Sequence, residues 1–166
     1  MLNSQRLSLM SRSCLCITAI FFLVPALCAA QDAEREKGAI AKVIHASIGW
    51  AKDKNFKLLY SVIANDSGYL EVDPDSGLIR GFDQFKKNEA FWGSPNFKAI
   101  RYEIKDLNIS ISQSGQVAWF YCMLDDINEW KGKPACWLNT RWTGVLEKRH
   151  GKWVIVQMHF SFAIDK

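Results

Sequence analysis

The sequence predicts an α+β fold, with three N-terminal helices packed on a strongly bent, mainly antiparallel sheet that forms a half-barrel. Three observations carry that prediction. Apolar residues recur at three- and four-residue steps up to Ile63, they run through four long stretches after Phe97, and glycine-containing turns separate those stretches. A chain of 166 residues suits one domain.

Taken in order, Ile40, Val43, Ile44, Ser47, Ile48 and Ala51 place one buried stripe on a helix over Asp32 to Lys52. Asp53 can cap a second short helix carrying Phe56, Leu59, Tyr60 and Ile63. Gly68 to Val72 reads as a strand, and Asp73-Pro74-Asp75-Ser76-Gly77 as turn chemistry before Leu78-Ile79-Arg80. Phe82 to Trp92 makes the third helix, closed by Gly93-Ser94-Pro95. Strands then cover Phe97–Ser112, Gln116–Asp126, Ala135–Arg149 and Lys152–Ile164, turning at Ser114-Gly115, Gly132-Lys133 and His150-Gly151. These exceed the usual five or six residues, so they must coil and bend to bury one face. Within the first of them the apolar parity switches from Ile100, Tyr102 and Ile104 to Leu107, Ile109 and Ile111, which calls for a β-bulge near Lys105-Asp106.

A composition of 49% hydrophobic and 23% charged residues is that of a globular protein rather than a disordered one. The formal charge is +4, and without residues 1–30, which hold Arg6, Arg12 and no acid, it falls to +2. So even a balance argues against a nucleic-acid partner, which needs a concentrated basic patch. Those thirty residues combine a basic start, the uncharged apolar run Cys14 to Leu27, and Cys28-Ala29-Ala30 ahead of Gln31. That is the pattern of a cleaved secretory signal peptide, leaving residues 31–166 as the mature domain, exported to a periplasm or secreted. A retained anchor is the rival, but the run falls short of the roughly 20 residues that span a bilayer, so no stable membrane span is expected after cleavage. Cys122 and Cys136 then remain on neighbouring strands. A disulfide and two separate buried thiols are both open, because strand register is not readable from sequence.

The stretch from Asn139 to Ser161 carries the pattern Arg141-x-Thr143-x-Val145, a charged turn ending Gly151-x-Trp153, and a strand finishing His159-x-Ser161. This closely resembles the terminal hairpin of SnoaL-like domains in the nuclear transport factor 2-like superfamily, and the likeness extends over about residues 33–164. The resemblance implies a cone-shaped fold whose sheet wraps the helices around a pocket, commonly in a homodimer. The activities it implies are isomerase, cyclase or dehydratase chemistry, or else non-catalytic binding or assembly. Where the association domain of calmodulin-dependent kinase has pocket arginines, this chain has Gly144 and Phe160, so an arginine-lined anion pocket is not expected.

The expected ligand is a small, largely apolar organic molecule held by aromatic walls, with Tyr69, Trp92, Trp119, Tyr121, Trp142 and Phe160 as candidates. Candidate acid–base groups are His159, Tyr121 and Asp125. His159 also reads as a hydrogen-bonded structural histidine. Arg141, Thr143, Trp153, Gln157 and His159 form a mixed strand face suited either to a second polar patch or to a homodimer interface. Val154, Val156, Met158, Phe160 and Phe162 form the opposite, apolar row. Three dispersed histidines give no metal spacing, Asp73 to Gly77 lacks the ligands of a calcium loop, and no glycine-rich phosphate cradle is present, so no cofactor or metal is expected.

Overall fold

The change from helical to strand-like spacing in the sequence is the change seen in the computed structural model, which describes residues 13–75 and 77–163, with side chains from Gln31 onward. The expected leader lies outside the described residues, apart from the helical backbone of residues 13–30. Two units divide the chain, residues 1–36 and 37–166. In the first, Arg35 pairs with Asp32 at 3.1 Å, one helical turn apart. Among the described residues no helix is long and apolar enough to cross a membrane. The second unit carries the sheet and all that follows.

Helix α1 spans Ser13–Gly49, a longer element than the Asp32–Lys52 helix expected, because Ala29 to Lys37 is a run of good helix formers that continues it backwards. A 3₁₀ turn, Trp50–Asp53, follows, and Lys54 at φ 52° ends it in the left-handed region. Asn55, rather than Asp53, caps α2 (Phe56–Val62), its Oδ1 accepting the Leu58 N–H at 3.0 Å. Strands β1 (Leu70–Val72) and β2 (Leu78–Arg80) form a short hairpin. The helix expected over Phe82–Trp92 is broken into α3 (Phe82–Lys86) and α4 (Glu89–Trp92), since Lys87 and Asn88 donate to carbonyls three residues back. The long strands are β3 (Phe97–Ile111), β4 (Val117–Trp130), β6 (Trp137–Arg149) and β7 (Lys152–Ser161), with a two-residue β5 (Lys133–Pro134) beside β4.

The sheet runs β2-β1-β7-β6-β4-β3, antiparallel throughout except that β1 lies parallel to β7. It curls as the strongly bent half-barrel that the strand lengths demand, in an α+β unit. Ile40 and Ile44 of α1 and Leu59 of α2 join Leu124, Trp142, Leu146 and Ile155 of the sheet in one core, all at most 1% exposed. Burying each such side chain is worth about 1.5–3 kcal/mol.

The pairing shifts register at four places, and two of these shifts decide which side chains of β3 and β7 point inward. The bulge expected at Lys105-Asp106 is present: Lys105 pairs with Met123 and Asn108 with Tyr121, so two residues oppose one, and Asp106 takes φ 55°. A second bulge lies where the sequence shows none. Leu146 pairs with Ile155 and Val145 with Gln157, leaving Val156 unopposed. The apolar row read along β7 therefore breaks at Val156, and the buried residues are Trp153 and Ile155 before it and Met158 and Phe160 after it. The same slip turns Trp153 into the core, which removes it from the candidate interface.

Cys122 and Cys136 are both free thiols. Cys122 pairs in register with Trp142, whereas Trp137, next to Cys136, pairs with Asp126. The Cys136 thiol reaches the Asn128 carbonyl at 3.5 Å, six residues along β4 from Cys122, so the two lie on the order of 20 Å apart, beyond the reach of a disulfide.

Candidate functional site

Between α1, the α3–α4 segment and the inner face of the sheet lies a cavity of about 520 Å³. Its walls are largely aromatic, with Trp50, Phe85 and Trp92 from the helical side, and Phe97, Trp137 and Phe160 from the sheet. The rings lock one another by edge contacts, Trp92 lying 5.3 Å from both Trp50 and Phe85, which gives a rigid apolar wall. This volume is that of a site for a small organic molecule.

Besides Ser47 of α1, whose hydroxyl donates to the Ile44 carbonyl, polar groups enter this cavity on two strands. On β1, Glu71 faces inward between Ile79 of β2 and Met158 of β7 and is 6% exposed. The buried Tyr69 hydroxyl donates to its Oε2 at 2.5 Å. Burial pushes the Glu71 carboxyl up to about 7; the neighbouring Asp73 adds to the rise and the Tyr69 hydrogen bond opposes it. Tyr69 itself is raised well above the ordinary phenol value, first by burial and then by the Glu71 charge, so it stays protonated as a fixed donor. A carboxyl of this kind can both accept and donate a proton near neutrality.

On β4, Asp126 and Asn128 continue the inward row Phe120-Cys122-Leu124. Asn128 Nδ2 donates to Asp126 Oδ2 at 2.8 Å. Burial raises the Asp126 carboxyl, against the pull of that amide. Among the described residues no cluster of three metal-ligating side chains occurs.

The residues singled out from sequence divide sharply. Trp92 and Phe160 line the cavity. Tyr69 supports Glu71 from behind. Trp142 is sealed in the core, stacked on Phe160 at 5.4 Å and edge-on to Phe120 at 5.0 Å. Trp119 and Tyr121 point out of the opposite face of the sheet, because β4 buries its even-numbered residues. None of His159, Tyr121 and Asp125 lines the cavity. His159 is exposed on the outer face, opposite Thr143. Asp125 is held below the usual carboxylate range by Lys105 at 2.7 Å and by the Asn139 N–H at 2.8 Å. Arg141, Thr143 and Gln157 share that outer face, and Arg141 Nη2 donates to the Phe162 carbonyl at 2.6 Å.

Glu71, Asp126 and Asn128 were not singled out. A signal was present for two of them, since Asp126 and Asn128 keep the parity of Leu124.

Comparison with known proteins agrees with this architecture. A dehydratase proposed for the NTF2-like family of Streptomyces avermitilis superposes with a TM-score of 0.69 at 15% identity, over 80% of this chain and 99% of that one. An NTF2-like protein of unknown function from Prochlorococcus gives 0.63 at 18% identity, over 78% and 94%. A proposed Ca/calmodulin-dependent kinase II association domain from Exiguobacterium sibiricum gives 0.61 at 6% identity, over 77% and 93%. Identities this low show a shared fold alone. No match was found among curated proteins. The SnoaL-like domain profile matches residues 40–165, most of the chain, and so this protein belongs to the SnoaL-like family.

Proposed function

We propose that the 37–166 unit takes a small, largely apolar organic molecule into its aromatic cavity and moves a proton on it, with Glu71 as the acid–base group. One observation carries this reading: a carboxyl raised to about 7 lies buried in the wall of an apolar cavity, fixed by the Tyr69 hydroxyl. Isomerisation and dehydration both need such a group in a water-poor site, to remove a proton beside a carbonyl and return it elsewhere. The dehydratase proposed among the structural neighbours fits the same class.

The test is hydrogen–deuterium exchange at the α-carbon of apolar cyclic ketones in D₂O, followed by NMR. The parent protein is expected to accelerate exchange with a rate that rises through pH 7, as the carboxylate forms. Glu71→Gln, which keeps the shape and loses the proton acceptor, is expected to slow it by about 10²-fold or more. Undiminished exchange in that variant overturns the assignment.

The outer sheet face supports a second reading, a homodimer. Trp119 and Tyr121 are 50% and 41% exposed there, beside the exposed Arg141 and His159. Adjacent large aromatics on one sheet face are the mark of a covered surface. Light scattering is expected to give twice the protomer mass at micromolar concentration, falling to one protomer in Trp119→Glu. A parent protein that scatters as a monomer removes this reading and leaves the cavity untouched.

A further inference from the structure

Besides Trp119 and Tyr121 on the outer sheet face, exposed aromatic side chains stand at the mouth of the cavity. Phe91 lines the cavity while remaining 47% exposed, and it stacks on Trp130 with ring centroids 4.6 Å apart. Phe162, 43% exposed, lies edge-on to Trp137, another lining residue.

The lip of this mouth is the β4–β5 hairpin. Trp130 pairs with Lys133 across a two-residue turn in which Lys131 has φ 53° and Gly132 φ 75°. Two successive positive values are those of a tight type I′ turn. The Lys131 N–H donates to the Asn96 carbonyl at 2.9 Å, which ties the tip to the start of β3. Residues 131–135 are exposed throughout, and Pro134 and Ala135 line the cavity as well. Lys131 Nζ lies 5.8 Å from the Trp130 ring centroid, so aromatic and cationic groups form one patch. Glu129 is the nearest acid along the hairpin, and Lys98 stands opposite it in the β3–β4 ladder, which leaves the lip positive.

We propose that the Phe91–Trp130 stack and the Lys131–Lys133 turn form a docking lip that seats the 37–166 unit on an anionic phospholipid surface, with the cavity mouth turned towards the lipid. Aromatic rings beside lysines suit the boundary between acyl chains and charged headgroups. The tip projects, so a rigid protein partner would need a matching pocket, whereas a lipid surface yields around it. The cavity behind the lip is walled by aromatics, and apolar molecules leave water for lipid, so docking there opens the cavity where such molecules collect. Docking rests on the lip alone, and only the entry of a ligand by this route rests on the cavity reading.

Co-sedimentation with vesicles tests this, using equal parts of phosphatidylglycerol and phosphatidylcholine against phosphatidylcholine alone. The parent protein is expected to bind the anionic vesicles at least tenfold more tightly, and to lose that preference in about 1 M salt. Replacing both lysines, Lys131→Gln with Lys133→Gln, is expected to weaken binding about thirtyfold, at the strength of one juxtaposed charge per lysine. Phe91→Ser is expected to weaken it about tenfold. Lys152→Gln, in the turn at the other end of the sheet, is expected to change nothing. No sedimentation of the parent, equal binding to both vesicles, or a double-lysine variant that binds as the parent does overturns the proposal. So does a Phe91→Ser protein whose light scattering falls from dimer to monomer, which would make the lip a contact between copies. The double-lysine variant is expected to keep the ketone exchange of the parent in solution, so failure of docking and failure of the acid–base reading are told apart.

Discussion

Glu71→Gln is expected to melt well above the parent protein at pH 8 and close to it at pH 4. The sign follows from the direction of the shift. An unfolded glutamate titrates near 4.3, whereas in the folded protein burial holds the Glu71 carboxyl at about 7. Between those values the folded state keeps a proton that the unfolded state releases. Stability is therefore fully present below the unfolded value and is lost as pH rises through 7. At 1.36 kcal/mol per unit, the loss is on the order of 3 kcal/mol by pH 8. Glutamine cannot ionise, yet its carbonyl accepts from Tyr69 and its amide donates to Asp73, as the protonated acid would. For a domain of this size the difference corresponds to roughly 10 °C in melting temperature. The half-buried Asp73 and Asp126 are raised in the same direction, and both are present in parent and variant alike. Melting curves that coincide at pH 8 would mean Glu71 is not desolvated.

Gly144→Ala is expected to cost about 3 kcal/mol, again roughly 10 °C, with no charge involved. Gly144 faces the core between Phe120 of β4 and Met158 of β7. A Cβ built there would lie 2.5 Å from Phe120 Cε1 and 2.8 Å from the Gln157 carbonyl oxygen. The Phe120 ring has little room to yield, being pinned edge-on against the fully buried Trp142. Combining the change with Phe120→Leu should recover about 1 kcal/mol of the cost, a coupling that a thermal or urea double-mutant cycle measures. Recovery stays incomplete because the carbonyl belongs to the backbone. A Gly144→Ala protein that melts within a degree or two of the parent would show that β6 and β4 do not approach in this way.

These two residues also show what could be read from the chain and what could not. The bulge on β3 was legible because Ile104 and Leu107 sit on opposite parities, and only an inserted residue reconciles them. The bulge on β7 was not, because Val154, Ile155 and Val156 are all apolar and either parity satisfies an apolar face. That one hidden slip misplaced Trp153. Asp125 stood out over Asp126 because the predicted strand ended at Asp126; continued to Trp130, its even row carries Asp126 and Asn128 into the cavity. Glu71 was hardest to see. A three-residue strand is too short to show alternation, and its burial comes from pairing with a strand at the far end of the chain.

That pairing has a consequence for when the protein becomes competent. β1 borders the sheet only through β7, so nearly the whole unit must be in hand before Glu71 acquires its neighbour Met158. A nascent or clipped polypeptide ending before Lys152 would leave this glutamate in water, titrating as an ordinary acid. The proton chemistry proposed for Glu71 would thus be withheld until synthesis and folding are finished, a safeguard written into the order of the strands.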